Sequence, residues 1–196
     1  MSKIEATGNS LLMVSQFQPA RQTLTAESSP TAALVAAVRG GDPQAFGRLY
    51  DLYGPMVHGI MLARVPFDEV DDLVQDVFLL ALKKLHTLRE EAAFGGWLAM
   101  IARNRAMDFH RRSREMEELP LDLAHREPVE AEAAEALALI RALPEAYRET
   151  LVLRLVEGMT GPEIAERTGL TPASVRVNLH RGMKLLREKL GLKESL

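Results

Sequence analysis

The sequence predicts an all-α protein made of two small helical domains joined by an acidic linker. Of its 196 residues, 47% are hydrophobic but only 5% are aromatic, and Ala, Leu, Glu and Arg, all strong helix formers, are abundant. Apolar residues recur at helical spacing from Thr31 onward, and no useful stretch alternates as a β-strand would. An acidic stretch containing Pro120 and Pro128 divides the chain into two helical parts.

Composition excludes several classes of protein. The chain has no cysteine, which excludes disulfide frameworks, thiolate zinc sites, iron–sulfur clusters and a cysteine nucleophile. Its longest apolar run is far shorter than the roughly 20 residues of a membrane-spanning helix. The N-terminus lacks the basic region and apolar core of a secretory signal. We therefore expect a soluble, cytoplasmic protein that does not insert into a membrane.

The first domain is predicted to occupy residues 31–114, after a flexible tail over residues 1–30 that shows no sustained period. Asp42 followed by Pro43 is typical of a helix start, and Asp68 is expected to cap a later helix. The predicted helices of this domain are 33–38, 43–62, 68–88 and 94–114, with a loop over 90–93. Within the last helix, Trp97 opens an apolar stripe and is expected to be a core residue.

The second domain is predicted over residues 131–196, after an acidic linker at 115–130. Its helices are expected near 131–143, 145–157, 162–167 and 172–189. Between the last two, Gly169 can adopt the left-handed conformation that ends a helix, and Thr171 and Pro172 are suited to begin the next one. A helix, a tight glycine-containing turn and a second helix together predict a helix-turn-helix.

The net charge of −3 conceals an uneven distribution along the chain. Residues 115–135 carry 8 acidic groups and 1 basic group, whereas from Leu170 onward there are 6 basic and 2 acidic groups. Basic regions flanking an acidic strip favour a nucleic-acid partner, although solvated helices also carry charge.

The last helix has the two faces expected of a DNA-recognition helix. One face is expected to enter the core and consists of Val175, Leu179, Gly182, Leu186 and Leu190. The opposite face carries the predicted DNA-contacting residues Arg176, Val177, His180, Arg181 and Lys184. Arginine can donate two hydrogen bonds to guanine, lysine suits phosphate, and Val177 can contact a thymine methyl group. The alternative is an ordinary amphipathic helix with a solvated basic face.

The third helix carries an exposed leucine on a polar face. Leu79 is surrounded there by Asp72, Gln75 and Asp76, a pattern that indicates a docking surface for a basic protein with an apolar centre. A single exposed leucine is also common without a function. A magnesium site at the clustered aspartates lacks the second aspartate-rich segment it would need.

Three ordered motifs resemble the extracytoplasmic-function (ECF) sigma factors of bacterial RNA polymerase, a group of the sigma-70 family. Residues 68–79 resemble sigma region 2.2, residues 94–112 resemble regions 2.3 and 2.4, and residues 143–148 with the helix-turn-helix resemble region 4. The resemblance covers about residues 33–190. It implies a region 2 helical bundle and a region 4 helix-turn-helix within a non-enzymatic subunit that directs promoter-specific transcription initiation.

The resemblance also implies partners and roles for particular residues. The β′ clamp helices of core polymerase would be bound by Asp72, Gln75, Asp76 and Leu79. The β subunit of the polymerase would be a further partner. Promoter −10 contacts would come from Arg103, Asn104, Asp108, Arg111 and Arg112, and the loop at 88–93 would hold a flipped base. Promoter −35 contacts would come from Arg176, Val177, His180, Arg181 and Lys184. The acidic linker would thread the main channel of the polymerase.

The chain departs from the family at several positions. Val177-Asn178 replaces a frequent Ser-Arg pair, Glu90 stands where glycine is common, and Gly95-Gly96 precedes Trp97. The promoter sequence therefore does not transfer from relatives. Many ECF members are held inactive by an anti-sigma protein, and the apolar stripes of this chain are compatible with such a partner.

A helical chain with these motifs has two other possible functions. A stand-alone helix-turn-helix regulator would bind duplex DNA without polymerase. An enzyme is disfavoured because the five histidines are scattered and show neither metal-ligand spacing nor a nucleophile–base pairing. We expect no cofactor and no metal site.

Overall fold

The computed structural model describes residues 29–117 and 131–191. Within these ranges the regular structure is helical and no β-strand is present, which confirms the all-α prediction. The helices are α1 (Pro30–Arg39), α2 (Pro43–Leu62), α3 (Val70–Lys84), α4 (Phe94–Glu117), α5 (Ala131–Arg141), α6 (Glu145–Leu155), α7 (Gly161–Thr168) and α8 (Pro172–Lys189). Short 3-10 turns at Phe67–Glu69, Leu85–Thr87 and Glu91–Ala93 connect them. The predicted tail, except for its last two residues, and most of the predicted linker lie outside the described ranges.

Side-chain caps begin several helices where the sequence predicted them. The Asp42 carboxylate accepts a hydrogen bond of 2.8 Å from the Gln44 amide at the start of α2. Thr171 accepts one of 3.1 Å from the Ser174 amide at the start of α8. Gly169 ends α7 with a φ of +72°, which confirms the expected left-handed turn. The helix-turn-helix is therefore determined largely by local chemistry.

Some predicted boundaries were wrong. Asp68 lies inside a 3-10 turn and caps nothing, so that α3 begins at Val70. Helix α3 ends at Lys84, before its predicted end at residue 88, and a 3-10 turn over Leu85–Thr87 follows it. Helix α6 ends at Leu155, two residues before its predicted end. By contrast, α4 continues past its predicted end at residue 114 to Glu117, inside the stretch predicted as linker. Helix ends carry few packed contacts, so the apolar period that identifies a helix constrains its last turn weakly.

The first bundle comprises α1 to α4, with α2 at its centre. Helix α2 packs against α1, α3 and α4, and buries Leu49, Met56 and Ile60 completely. The predicted inner face of α3 is buried: Val70, Leu73, Val74, Val77 and Ala81. Trp97 is half-buried, with its ring centroid 5.9 Å from that of Phe94. It thus lines the edge of the core rather than its centre.

The second bundle comprises α5 to α8 and supports the predicted recognition helix. Helix α8 lies on α6, where Gly182 is so close that a Cβ atom at this position would come within 3.0 Å of the Leu151 side chain. Val175 and Leu186 are buried and Leu179 is partly buried, as predicted. Leu190 was wrongly placed on the core face: it is 48% exposed and follows the last residue of α8 as its C-cap.

The two bundles pack directly against each other. Helices α2 and α4 of the first contact α6 and α7 of the second, and buried apolar residues from both bundles form one continuous core. Glycines permit the closest approach. A Cβ atom at Gly95 would lie 2.6 Å from the Arg167 carbonyl oxygen, and one at Gly96 would lie 3.4 Å from the Cα of Gly169. We call the contacts of α2 and α4 with α5, α6 and α7 the bundle interface.

Polar groups reinforce the bundle interface at the end of α2, whose last turn contains no basic residue. Arg141 of α5 donates hydrogen bonds to the carbonyls of Leu62 (2.9 Å) and Val65 (2.7 Å), so that a cation from the second bundle caps a helix of the first. Burial lowers the pKa of Arg141. Nearby, His58 and Glu157 form a contact of 2.6 Å across the interface.

The close backbone approach at Gly95 generates a prediction. Gly95→Ala places a methyl group against the Arg167 carbonyl, which cannot move aside as a flexible side chain would. We expect the free energy of unfolding in denaturant titrations to fall by about 1–3 kcal/mol. Gly47→Ala is the matched control, because Gly47 is an exposed α2 residue with open space around its Cα. The control should gain about 0.5–1 kcal/mol. Equal effects of the two substitutions would contradict the packing described here.

The pair of His58 and Glu157 predicts a pH dependence. The hydrogen bond that the imidazole donates to Glu157 raises the pKa of His58, partial burial opposes the shift, and the charges of Glu157 and Asp71 add to the rise. Because the pKa of the paired imidazole is raised, its stabilisation is fully present below the ordinary value of 6.5 and is lost as pH rises through the raised value. The stability difference between the wild type and His58→Gln should therefore shrink between pH 6 and pH 9 in denaturant titrations. A difference that is independent of pH would argue against this pair.

Candidate functional site

The face of α8 predicted to contact DNA is open to solvent. Val177 is 43% exposed on this face. The exposed residues of this face are Arg176, Val177, His180, Arg181 and Lys184. All five predicted −35 residues are therefore accessible, and none of them lies in an ion pair within the described residues. The face combines a basic surface with one apolar contact and has the dimensions of a major-groove reader.

The predicted −10 residues on α4 fall into two groups. Asn104, Arg111 and Arg112 are exposed, and Asp108 is half-buried beside them. At 100° per residue these four lie within about 100° of one another on the helix. Arg111 and Asp108 form an exposed ion pair at 3.1 Å, a contact of the kind that a phosphate can displace easily. This group is available to nucleic acid.

Arg103, the fifth predicted −10 residue, faces the second bundle instead. It lies about 100° around α4 from Asn104 and donates two hydrogen bonds to Glu149 of α6, at 3.1 Å from Nε and 2.6 Å from Nη2. The hydrogen bonding to the Glu149 carboxylate raises the pKa of Arg103, while burial opposes the shift. This bidentate geometry is the strong form of an arginine–carboxylate contact. In this arrangement Arg103 is not available to DNA.

Glu149 is the centre of a buried ionic cluster across the bundle interface. It is only 5% exposed, and it binds Arg64 at 2.8 Å as well as Arg103. Both arginines belong to the first bundle, whereas the carboxylate belongs to the second. We call these three residues the Glu149 cluster. Removing one partner from a buried pair leaves an uncompensated charge, at a cost of about 3–5 kcal/mol.

The loop at 88–93, predicted to hold a flipped base, is fastened to α1 by one side chain. Arg39 donates to Glu91 at 2.9 Å, to the Leu85 carbonyl at 3.3 Å and to the Leu88 carbonyl. Leu88 is buried, whereas Arg89 and Glu90 are exposed. The loop therefore has a fixed base and a free tip, which suits a pre-formed binding element.

The predicted polymerase-binding face of α3 is exposed around its leucine. Leu79 is 56% exposed, and Asp72 and Gln75 are exposed beside it. Asp76 is different, because one of its carboxylate oxygens accepts a hydrogen bond from Arg105 of α4. It therefore ties α3 to α4 and presents only its remaining oxygen to a partner.

Sequence reasoning missed the residues that hold these surfaces in place: Arg39, Arg64, Arg105 and Glu149. A signal existed for Glu149, because the apolar residues Val152 and Leu153, three and four positions further along α6, share its side of the helix and are buried. A carboxylate at such a position requires a cation. The sequence does not indicate which arginine supplies it, since Arg64 and Arg103 are distant along the chain.

Within residues 29–117 and 131–191, no group of three His, Asp or Glu side chains could hold a metal ion. No helix described there is long and apolar enough to cross a membrane.

Comparison with known proteins assigns each bundle to a protein family. Residues 49–115 match the family model of sigma-70 region 2, and residues 133–186 match that of sigma-70 region 4. The chain is 32% identical over 182 residues to the ECF RNA polymerase sigma factor ShbA of Streptomyces griseus, covering 82% of this chain and 95% of that protein. It is 29% identical over 184 residues to the ECF RNA polymerase sigma-E factor of Haemophilus influenzae, covering 84% and 97% respectively.

A solved structure has the same architecture. The structure of CnrH in complex with the cytosolic domain of CnrY superposes with a TM-score of 0.61 at 27% identity, covering 84% of this chain and 99% of that one. A match to region 2 as well as region 4 does not fit the stand-alone helix-turn-helix regulator. The chain belongs to the sigma-70 family of RNA polymerase sigma factors, within its ECF group.

Proposed function

We propose that this sigma factor binds core RNA polymerase through α3 and selects promoters through α4 and α8. The observation that carries the proposal is the presence, on one chain, of three separate exposed helix faces with different chemistry. One is acidic with a central leucine, one combines Asn104 with arginines, and one is basic with Val177. On this proposal the chain performs no catalysis itself, and it acts in the cytoplasm with the polymerase.

The α3 face suits a helical partner that is basic around an apolar centre. Leu79 would fill an apolar depression, while Asp72, Gln75 and the free oxygen of Asp76 would form the polar rim. The β′ clamp helices are the proposed partner, and the β subunit offers a second contact.

The α4 face and the fastened loop would act together on the −10 element. Asn104 can hydrogen-bond an unpaired base, and Arg111 and Arg112 can neutralise the flanking phosphates. The loop at 88–93 would hold a base flipped out of the stack, which costs a few kcal/mol and requires a site prepared in advance. Arg39 provides that preparation by fixing both ends of the loop.

The α8 face would contact the −35 element in the major groove. Arg176 and Arg181 can contact guanine or phosphate, Val177 a thymine methyl group, and Lys184 a phosphate. His180 lies among them and can donate or accept a hydrogen bond. Thr171 fixes the start of the helix, so that its first turn enters the groove at a defined angle.

The packed arrangement of the bundles cannot serve both promoter elements at once. Because Gly96 and Gly169 are in contact, helical rise and chain length place Asn104 within about 40 Å of Arg176. Elements about 25 base pairs apart are separated by about 85 Å of straight duplex. Residues 118–130 allow the end of α4 and the start of α5 to lie up to about 45 Å apart, so the chain permits the bundles to separate. Promoter recognition therefore requires the bundle interface to open.

The Glu149 cluster is the contact that opening must break. Separation would release Arg103 for the −10 element, so that the same side chain serves the closed and the open states. Core polymerase would favour the open state by binding the two bundles at separate places. An anti-sigma protein would favour the closed one; the similar protein CnrH has been solved in complex with the cytosolic domain of CnrY.

Leu79→Asp tests polymerase binding. The substitution places a charge at the centre of the proposed contact, and we expect binding to core polymerase to weaken at least tenfold, with specific transcription in vitro falling in proportion. Leu155→Asp is the matched control, because Leu155 is a similarly exposed leucine, 48% against 56%, on the second bundle. Failure of the wild-type chain to start specific transcripts with core polymerase on any genomic template would refute the proposed function.

Glu149→Gln tests the closed state. The neutral side chain leaves Arg64 and Arg103 without their counter-charge, so the open fraction should rise. Because apparent affinity scales with that fraction, we expect the free chain to bind a duplex carrying both promoter elements roughly tenfold more tightly. Glu166→Gln, on the exposed side of α7, is the control and should leave binding unchanged.

Circular dichroism would establish that the Glu149→Gln chain is folded. Adding Arg181→Ala to it should remove most of the gained affinity if α8 is the contacting helix. An unchanged affinity in a folded Glu149→Gln chain would show that the Glu149 cluster does not limit DNA binding.

A further inference from the structure

A basic cleft of about 630 Å³ lies where α4 and α6 meet at the bundle interface. Its charged and polar lining consists of Arg64, His110, Arg111, Arg114, Glu145 and Arg148. The volume is typical of a site for a small molecule. The walls come from both bundles, so that the cleft in this form exists only while the bundles are packed together.

The charges of the cleft are unbalanced. Four arginines face a single lining carboxylate, that of Glu145, which is 70% exposed and 3.4 Å from Arg64. Arg64 is already neutralised by Glu149 at 2.8 Å. Arg111 has only an exposed pair with Asp108, and Arg114 and Arg148 have no ion-pair partner within the part of the chain that the structure describes. Within the described residues, the guanidinium groups of Arg114 and Arg148 therefore have no counter-charge.

Arg148 supplies a second, independent observation. Its Nε atom is buried and has no hydrogen-bond partner among the residues described here. A buried donor is normally satisfied, and an arginine donor fork matches the geometry of a phosphate group. Helix α6 begins beside it, where Pro144 provides no side-chain cap for the first amides, and a helix start favours negative charge.

His110 fixes one wall of the cleft. Its Nε2–H donates to the Arg64 carbonyl at 2.7 Å, a bond that connects α4 to the segment after α2. The aligned arginines of α4, Arg111 and Arg114, are three residues apart and therefore neighbours on the helix surface. They face Arg148 from the opposite bundle across the cleft. An anion with more than one phosphate group offers enough acceptor oxygens to contact arginines on both walls.

We propose that this cleft binds a small anion carrying two or more linked phosphate groups, which bridges Arg111 and Arg114 of α4 with Arg148 of α6. Such a ligand binds only the closed arrangement, so it stabilises packing of the bundles and opposes promoter binding by mass action. A DNA backbone offers the same phosphate chemistry, and Arg111 is also proposed above to contact it, so the experiment has to distinguish the two sources of phosphate. Binding of such a ligand to the closed state can be measured on the chain alone, without polymerase.

The experiment is calorimetric titration of the full chain with inorganic pyrophosphate at constant ionic strength. We expect saturable binding by the wild type, weakened at least tenfold by Arg148→Ala and by Arg114→Ala. Arg48→Ala is the matched control, because it removes an exposed arginine of α2 outside the cleft and should not change binding. Arg114 is exposed, so its variant keeps the test valid even if Arg148→Ala disturbs folding.

A parallel titration with a promoter duplex distinguishes the two sources of phosphate. Pyrophosphate that lowers duplex affinity in the wild type but not in Arg114→Ala would support the proposal. Absence of saturable pyrophosphate binding, or equal binding by the Arg48, Arg114 and Arg148 variants, would overturn it. Loss of duplex binding alone in the cleft variants would also overturn it, because the arginines would then belong to the DNA-contacting surface.

Discussion

A single buried carboxylate, that of Glu149, joins the two halves of this molecule. Burial of this carboxylate without a counter-charge would strongly destabilise the folded chain. The guanidinium groups of Arg64 and Arg103 provide that counter-charge. Both arginines lie on the other bundle, so the charge is satisfied only when the bundles pack together. The Glu149 cluster therefore acts together with the shared apolar core and the Arg141 hydrogen bonds to hold the two bundles in this arrangement.

Close backbone contacts also restrict the shape of the bundle interface. At Gly95 of α4 the second bundle approaches so closely that a Cβ atom would lie 2.6 Å from the Arg167 carbonyl oxygen, whereas at Gly96 a Cβ atom would make an ordinary contact with Gly169. An interface of this kind is bistable rather than elastic, because a small separation already loses the close contacts and the buried ion pairs together. The molecule is thus suited to two states, one closed and one open, with few arrangements between them.

Several side chains have different uses in those two states. Arg103 neutralises Glu149 in the closed arrangement and lies on the helix proposed to contact the −10 element in the open one. The free arginines of the cleft, Arg114 and Arg148, are brought together only by closure. By contrast, Leu79 on α3 and Val177 on α8 are exposed in the closed arrangement, so their proposed partners can reach them before the bundles separate. Encounter with polymerase can therefore precede opening.

The amino-acid sequence by itself determined the helices, the helix-turn-helix and the exposed faces of α3 and α8, because these depend on apolar period and on caps such as Thr171 and Gly169 that act within a few residues. Helix ends were less predictable, since they carry few contacts. Only the tertiary structure decided that Arg103 binds Glu149 and that Arg39 fastens a loop some fifty positions away. The sequence contains many arginines and carboxylates that could pair, and the choice among them is made by which surfaces the packed bundles bring within hydrogen-bonding distance.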